Sequence, residues 1–198
     1  MSKVIVVQHE FLAWTYDEDY KGAFPLVREA RRVVVRGDSQ LVTRYWVESV
    51  AAETFAGLQQ ESACRDALDS ASRVVDADTK NSPAWLRFEG SRLSALRGTC
   101  FVRLRDPQAA YPPLQGALSL VPGPVRRRGM VLTDLGLAAA LQGDIDRACT
   151  YGNEVVEITM KSFSSMLHKG LLKLRAQLDP SKGAASVQEF DTRLAVLS

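Results

Sequence analysis

Small residues that recur at a fixed interval constrain this chain more than any other feature. Gly98 and Gly136 lie 38 residues apart, and Ala110 and Ala148 repeat that interval. Residues 132–159, LTDLGLAAALQGDIDRACTYGNEVVEIT, set them in a definite order: Leu132, Leu135-Gly136, Gly143-Asp144, then Ala148. Each position has a physical reason. Gly136 removes the side chain that would hold a paired helix away. Gly143 closes the turn between two helices. Ala148 is a small residue on the second helix that packs against the first. A recurrence of roughly 20–50 residues marks a stacked repeat. A single pair of helices cannot bury its two-sided apolar surface, so neighbouring pairs must stack.

The preceding copy carries Gly98, Phe101, Asp106, Ala110, Leu114, Ala117 and Pro122. Earlier copies are fainter. Ala67, Ala71 and Val74 continue the second-helix pattern 43 residues before Ala110, and Ala23, Val27 and Ala30 continue it another 44 residues back. Strand-like alternation is nearly absent. Even Val33-Val34-Val35 finishes a segment in which Leu26, Val27, Ala30, Val33 and Val34 fall at helical spacing.

Cap and period signals predict ten helices, roughly 2–16, 19–36, 39–60, 62–77, 82–105, 107–121, 124–142, 145–161, 163–178 and 185–197. Ser82-Pro83 and Asp106-Pro107 pair an N-cap with proline at the first helical position. Pro122-Gly123-Pro124 is the clearest break. Pro112-Pro113 conflicts with this pattern, because each proline removes a backbone donor. The sixth helix is therefore expected to start nearer Pro112 or to kink in its first turn, and Pro25 poses the same question in the second. The expected fold is all-α: a single domain over 1–198, a helix-hairpin superhelix of about ten helices. A capping helix near 185–197 carries Val187, Phe190, Leu194 and Leu197 on one stripe.

Composition excludes several function classes. The net charge is +2, with 46% hydrophobic and 24% charged residues, which does not fit a disordered or nucleic-acid-coating chain. No run of 18 apolar residues occurs, and MSKVIVVQHEFLAW is broken by Gln8, His9 and Glu10, so neither a membrane span nor a signal peptide is expected. Cys64, Cys100 and Cys149 fit reduced, buried thiols and a cytoplasmic location. His9 and His168 stand apart, and C-x-x-C, Walker A, G-x-G-x-x-G and G-x-S-x-G are missing. No catalytic residue, metal or cofactor is expected. The acidic cluster Asp17, Glu18 and Asp19 sits between two helices, where it caps the next one and complements its dipole.

The order of small residues in 132–159 resembles the tetratricopeptide pattern, although the intervals exceed its usual length of about 34 residues. From about residue 40 onward the chain resembles the C-terminal tetratricopeptide region of actinobacterial-type transcriptional regulators of the xenobiotic-response-element helix-turn-helix family. The stretches that carry the likeness are TRYWVESVAAETFAGLQQESACRDALDSASRVV, GSRLSALRGTCFVRLRDPQAAYPPLQGALSLVPG, VRRRGMVLTDLGLAAALQGDIDRAC and LLKLRAQLDPSKGAASVQEFDTRLAVL. Nothing before residue 40 reads as a short helix, tight turn and basic recognition helix. DNA contact is therefore expected only through a separate helix-turn-helix domain. The resemblance implies a sensor that binds a peptide, a protein or a small signal molecule. A structural dimerisation or assembly scaffold is the alternative.

In a helix-hairpin stack the first helix of each pair lines the inner wall. That places Arg92, Thr99 and Arg103 in one unit and Met130, Thr133, Leu137 and Leu141 in the next, with Gln8, Leu12, Tyr16, Ser49, Ala52 and Gln59 earlier. The planar forks of Arg92 and Arg103 could hold a carboxylate bidentately, with Met130 and Leu137 taking an apolar side chain beside it. Arg126-Arg127-Arg128 is the densest charge run and reads as a solvated first turn. Three arginines there slightly oppose the helix dipole, which leaves room for an acidic group. Trp14, Trp46 and Trp85 are expected to anchor packing between pairs.

Overall fold

The computed structural model describes residues 18–36, 41–78, 90–119 and 125–197, and among these every regular element is helical. The chain forms two compact units, Met1–Leu96 and Arg97–Ser198. The first contains α1 (Tyr20–Arg36), α2 (Leu41–Gly57), α3 (Glu61–Asp78) and the start of α4 (Gly90–Arg103). The second contains the rest of α4, then α5 (Pro107–Ser119), α6 (Val125–Leu141), α7 (Ile145–Lys161), α8 (Ser165–Gln177) and α9 (Ala185–Leu194). Single 3-10 turns follow at Asp179–Ser181 and Ala195–Leu197. The helix expected over 2–16, Ser82-Pro83 and Pro122-Gly123-Pro124 lie outside the described residues.

The hairpin turns reveal the repeat directly. Gln59, Arg105 and Gly143 follow α2, α4 and α6, and all take left-handed backbone, at φ 59°, 59° and 80°. In each turn the N–H of that residue donates to the carbonyl three residues back: Ala56, Val102 and Ala140. The next N–H donates five residues back, to Phe55, Phe101 and Ala139. This is a Schellman closure, repeated three times. Glu18, at φ 58°, takes the same backbone just before α1.

After Glu18, Arg105 and Gly143 the next residue is an aspartate that caps the following helix, while after Gln59 it is Gln60. Asp19, Asp106 and Asp144 each offer Oδ1 to an N–H three residues on: Gly22 at 3.0 Å, Ala109 at 3.0 Å and Arg147 at 3.2 Å. The fourth residue beyond the cap is then Ala23, Cys64, Ala110 or Ala148, none more than 1% exposed. The sequence register is corrected here. Ala67 was expected to match Ala23 and Ala110, but Cys64 holds that place, and the intervals are 41, 46 and 38. Ala67 is also fully buried, one turn further on the same face, so spacing alone cannot separate the two. A buried thiol serves as a small hydrophobe.

The prolines are resolved by the same register. α5 runs unbroken from Pro107 through Pro112 and Pro113, so it does not start nearer Pro112. Pro25 and Pro112 each lie six residues after their capping aspartate, and both are exposed. The carbonyls that lose a ladder donor to Pro25 and Pro112 belong to Lys21 and Gln108, which are exposed, and the one that loses its donor to Pro113 belongs to half-buried Ala109.

Within the first unit, the Tyr20 ring lies where a Cβ on Gly57 would fall. Phe24 and Phe55 meet edge to face at 6.1 Å. Arg31 lies 5.8 Å from the Phe55 ring centre and pairs with Glu48 at 3.0 Å, joining α1 to α2. In the second unit, glycines act as notches. Leu114 fills the space beside Gly98, Leu167 that beside Gly129, and Leu174 that beside Gly136. Gly152 admits the ring of Phe190, which is fully buried. With Val187 and Leu194 also buried, α9 seals the second unit as a cap, while Leu197 is half-buried.

Candidate functional site

The wall that the first helices present in the second unit follows from how α6 and α8 pack. α6 turns Gly129, Thr133 and Gly136 to α8, which answers with Leu167, Gly170 and Leu174. α6 also buries Leu132, Leu135, Ala138 and Ala139. Beyond its open first turn, α6 leaves a stripe at helical spacing: Met130, Asp134, Leu137 and Leu141. Met130 is 41% exposed and the other three are half-buried. On α8, the flank that carries Gly170 leaves Met166, Lys169 and Lys173 exposed. The result is a strip with apolar side chains at its centre and cations along one side.

Of the residues expected to line the inner wall, the structure gathers Met130 and Leu137. Thr99 joins them by donating its hydroxyl to Asp134 Oδ2 at 2.5 Å, and half-buried Arg103 follows one turn later on the same helix face. Thr133 is a correction. It is 7% exposed, its hydroxyl donates to the Gly129 carbonyl at 2.9 Å, and its methyl lies against Gly170. It serves the α6–α8 contact and is closed to a ligand. Ala52 is likewise fully buried in α2. Ser49 donates to the Tyr45 carbonyl, and Gln59 is spent in the turn. Arg92 is exposed in the first unit, where burial pushes the Tyr45 phenol up and the Arg92 charge opposes that rise. Gln8, Leu12 and Tyr16 lie outside the described residues.

The sequence reading missed Asp134, Met166, Lys169 and Lys173. One signal was available. Leu174 stands 38 residues after Gly136, so the interval that links Gly98 to Gly136 marks α8 as the next first helix.

The arginine run divides into separate roles. Arg128 pairs with Glu154 of α7 at 3.3 Å. Arg126 borders a shallow recess of about 410 Å³ lined by Ile158, Ser162, Phe163, Ser164 and Ser165. Arg127 is half-buried. Trp46 is half-buried on α2, while Trp14 and Trp85 lie outside the described residues.

Asp19 caps α1 as the acidic cluster predicts, while Asp17 lies outside the described residues. All three cysteines are free and buried. Burial pushes the Cys149 thiol up, away from the reactive thiolate. Among the described residues no group of three or more His, Cys, Asp or Glu is placed to hold a metal ion. None of the described helices is long and apolar enough to cross a membrane. A scan of the chain against protein-family models finds no match, and no curated protein sequence matches it either.

Proposed function

We propose that this chain is a partner-binding helical repeat domain, the sensing part of a transcriptional regulator, which takes a peptide, protein or small signal molecule on the α6–α8 strip. It works without catalysis, in the cytoplasm. DNA contact belongs to a separate helix-turn-helix domain. The observation that supports this most is the exposure of Met130 and Met166 on adjacent helices beside half-buried Leu137, which gives a continuous apolar strip along α6 and α8. Methionine is flexible and polarizable, so such a strip adapts to side chains of different shape. The helical hairpin repeat favours the reading on general grounds, because stacked hairpins present extended binding walls.

The test is an array of random 12-residue peptides probed with the full chain and with a Met130→Ser/Met166→Ser variant. Binding by the wild type that falls at least tenfold in the variant is expected. Both positions are exposed, so the melting temperature should stay close to wild type. An array that retains no peptide, or retention indifferent to the variant, overturns the reading.

A scaffold that self-associates is favoured by a different feature. Met160 is 58% exposed and Phe163 68%, both near the α7–α8 junction. Sedimentation at several concentrations separates the two, since only the scaffold gains mass on its own.

A further inference from the structure

Methionine is among the residue types most often fully buried. Here the buried apolar residues are alanine, valine, leucine, phenylalanine and cysteine, and the described methionines stay outside the core. Met130 is 41% exposed, Met160 58% and Met166 39%. Met1 lies outside the described residues. Met130 of α6 and Met166 of α8 belong to the strip. Leu167 fills the space beside Gly129, so the residues next to these two in sequence, Met166 and Met130, stand at the same level of neighbouring helices.

The thiols have the opposite placement. Cys64 and Cys100 are 0% exposed and Cys149 2%. Burial also pushes the Cys149 thiol up, which keeps it protonated and a poor nucleophile. An oxidant in solution therefore meets thioether sulfur before thiolate sulfur.

A thioether reacts without losing a proton. Its sulfur lone pair attacks one oxygen of a hydroperoxide. The S–O bond forms as the O–O bond breaks, and the proton of the transferred hydroxyl passes to the departing hydroxide. Sulfur is oxidised by two electrons, and hydrogen peroxide is reduced to water. The sulfoxide is polar, unlike the side chain it replaces. Under an apolar group of a bound partner its oxygen would be a buried acceptor without a donor, which is costly. In the free protein the same oxygen faces water, so the fold loses little.

We propose that Met130 and Met166 form an oxidation site that empties the α6–α8 strip. A hydroperoxide converts both to sulfoxides and releases the bound partner, and thiol-driven reduction of the sulfoxides restores binding. This rests on the binding role proposed above and adds its regulation. Met160 lies off the strip, near the end of α7, and serves as an internal control.

The experiment treats the full chain with hydrogen peroxide in native buffer and weighs its proteolytic fragments by mass spectrometry. One added oxygen each on Met130, Met160 and Met166 is expected, with the three cysteines unmodified. Untreated and oxidised chains are then applied to the array of random 12-residue peptides. Oxidation should weaken retention about tenfold and leave the melting temperature close to that of the untreated chain. Methionine sulfoxide reductases should restore retention. Met130→Leu/Met166→Leu should bind alike before and after peroxide, whereas Met160→Leu should lose binding as the wild type does. Four results overturn the switch and leave the binding role standing: cysteines oxidised ahead of Met130 and Met166, a melting temperature that collapses on oxidation, retention unchanged by peroxide, or a leucine variant that stays sensitive. An array that retains nothing even before peroxide overturns the binding role and the switch with it.

Discussion

The α2–α3 turn in the first unit and the α6–α7 turn in the second have the same hydrogen bonds and different residues. At Gly143 the left-handed backbone costs no side-chain clash, Asp144 caps the next helix and Ala148 gives close approach. At Gln59 the same backbone carries a side chain, followed by Gln60 and by Cys64 in place of alanine. Gln59 is partly compensated, because its amide donates to the Ala56 carbonyl at 3.1 Å. One turn is spelled in residues whose conformational preference matches it. The other is held by the packing around it. Backbone geometry can thus repeat where the residue pattern has already faded.

The close-approach position of the first helices sharpens this contrast most. Gly98 and Ala52 both lie seven residues before their turn residue, at Arg105 and Gln59. A Cβ on Gly98 would fall against the Leu114 side chain, so Gly98→Ala should cost about 1–3 kcal/mol through overpacking. Ala52 already fits at 0% exposure, so Ala52→Gly should cost about 1 kcal/mol, from helix propensity. Urea unfolding of the two variants measures both. A Gly98→Ala loss smaller than that of Ala52→Gly would show that Leu114 gives way and that Gly98 is not a tight notch.

Exchanging the turn residues gives a smaller effect, of opposite sign in the two units. Gly143→Gln forces a side chain into left-handed backbone and should lower stability by about 1 kcal/mol. Gln59→Gly relieves that strain but loses the amide bond to Ala56 and frees the unfolded chain. Its gain should stay under about 1 kcal/mol. Thermal melts of the pair decide it. A destabilised Gln59→Gly would show that the side-chain bond outweighs the strain.

The smallest effect is a pH dependence confined to the second unit. Burial raises the Cys149 thiol above its ordinary value of 9.0. The unfolded chain therefore releases this proton first as pH rises, and it then binds fewer protons than the folded one. Stability from this group is complete below about pH 9 and declines above it. Unfolding curves from pH 7 to 10 should fall less steeply for Cys149→Ala than for wild type.

Legibility followed the chemistry of single residues. Asp106-Pro107 and Gly143-Asp144 marked their turns because cap and turn residues act locally. α7 matches its predicted range of 145–161 for the same reason. Thr133 was misread because its neighbour is Gly170, a residue on another helix that spacing within α6 cannot reveal. Met166, Lys169 and Lys173 were passed over because α8 carries a leucine where α4 and α6 carry glycine.

The periodic apolar residues and the small residues at hairpin positions determined by themselves that this chain is helical, and where its clearest hairpin turns. Those choices are made by propensity, capping and backbone freedom, which act within a few residues. Tertiary structure decided the rest: that Cys64 replaces Ala67 in the register, that two prolines survive inside a helix, and that Thr133 is closed while Met166 is open. Each of these depends on which helix lies alongside, and that neighbour is set by three-dimensional packing over tens of residues.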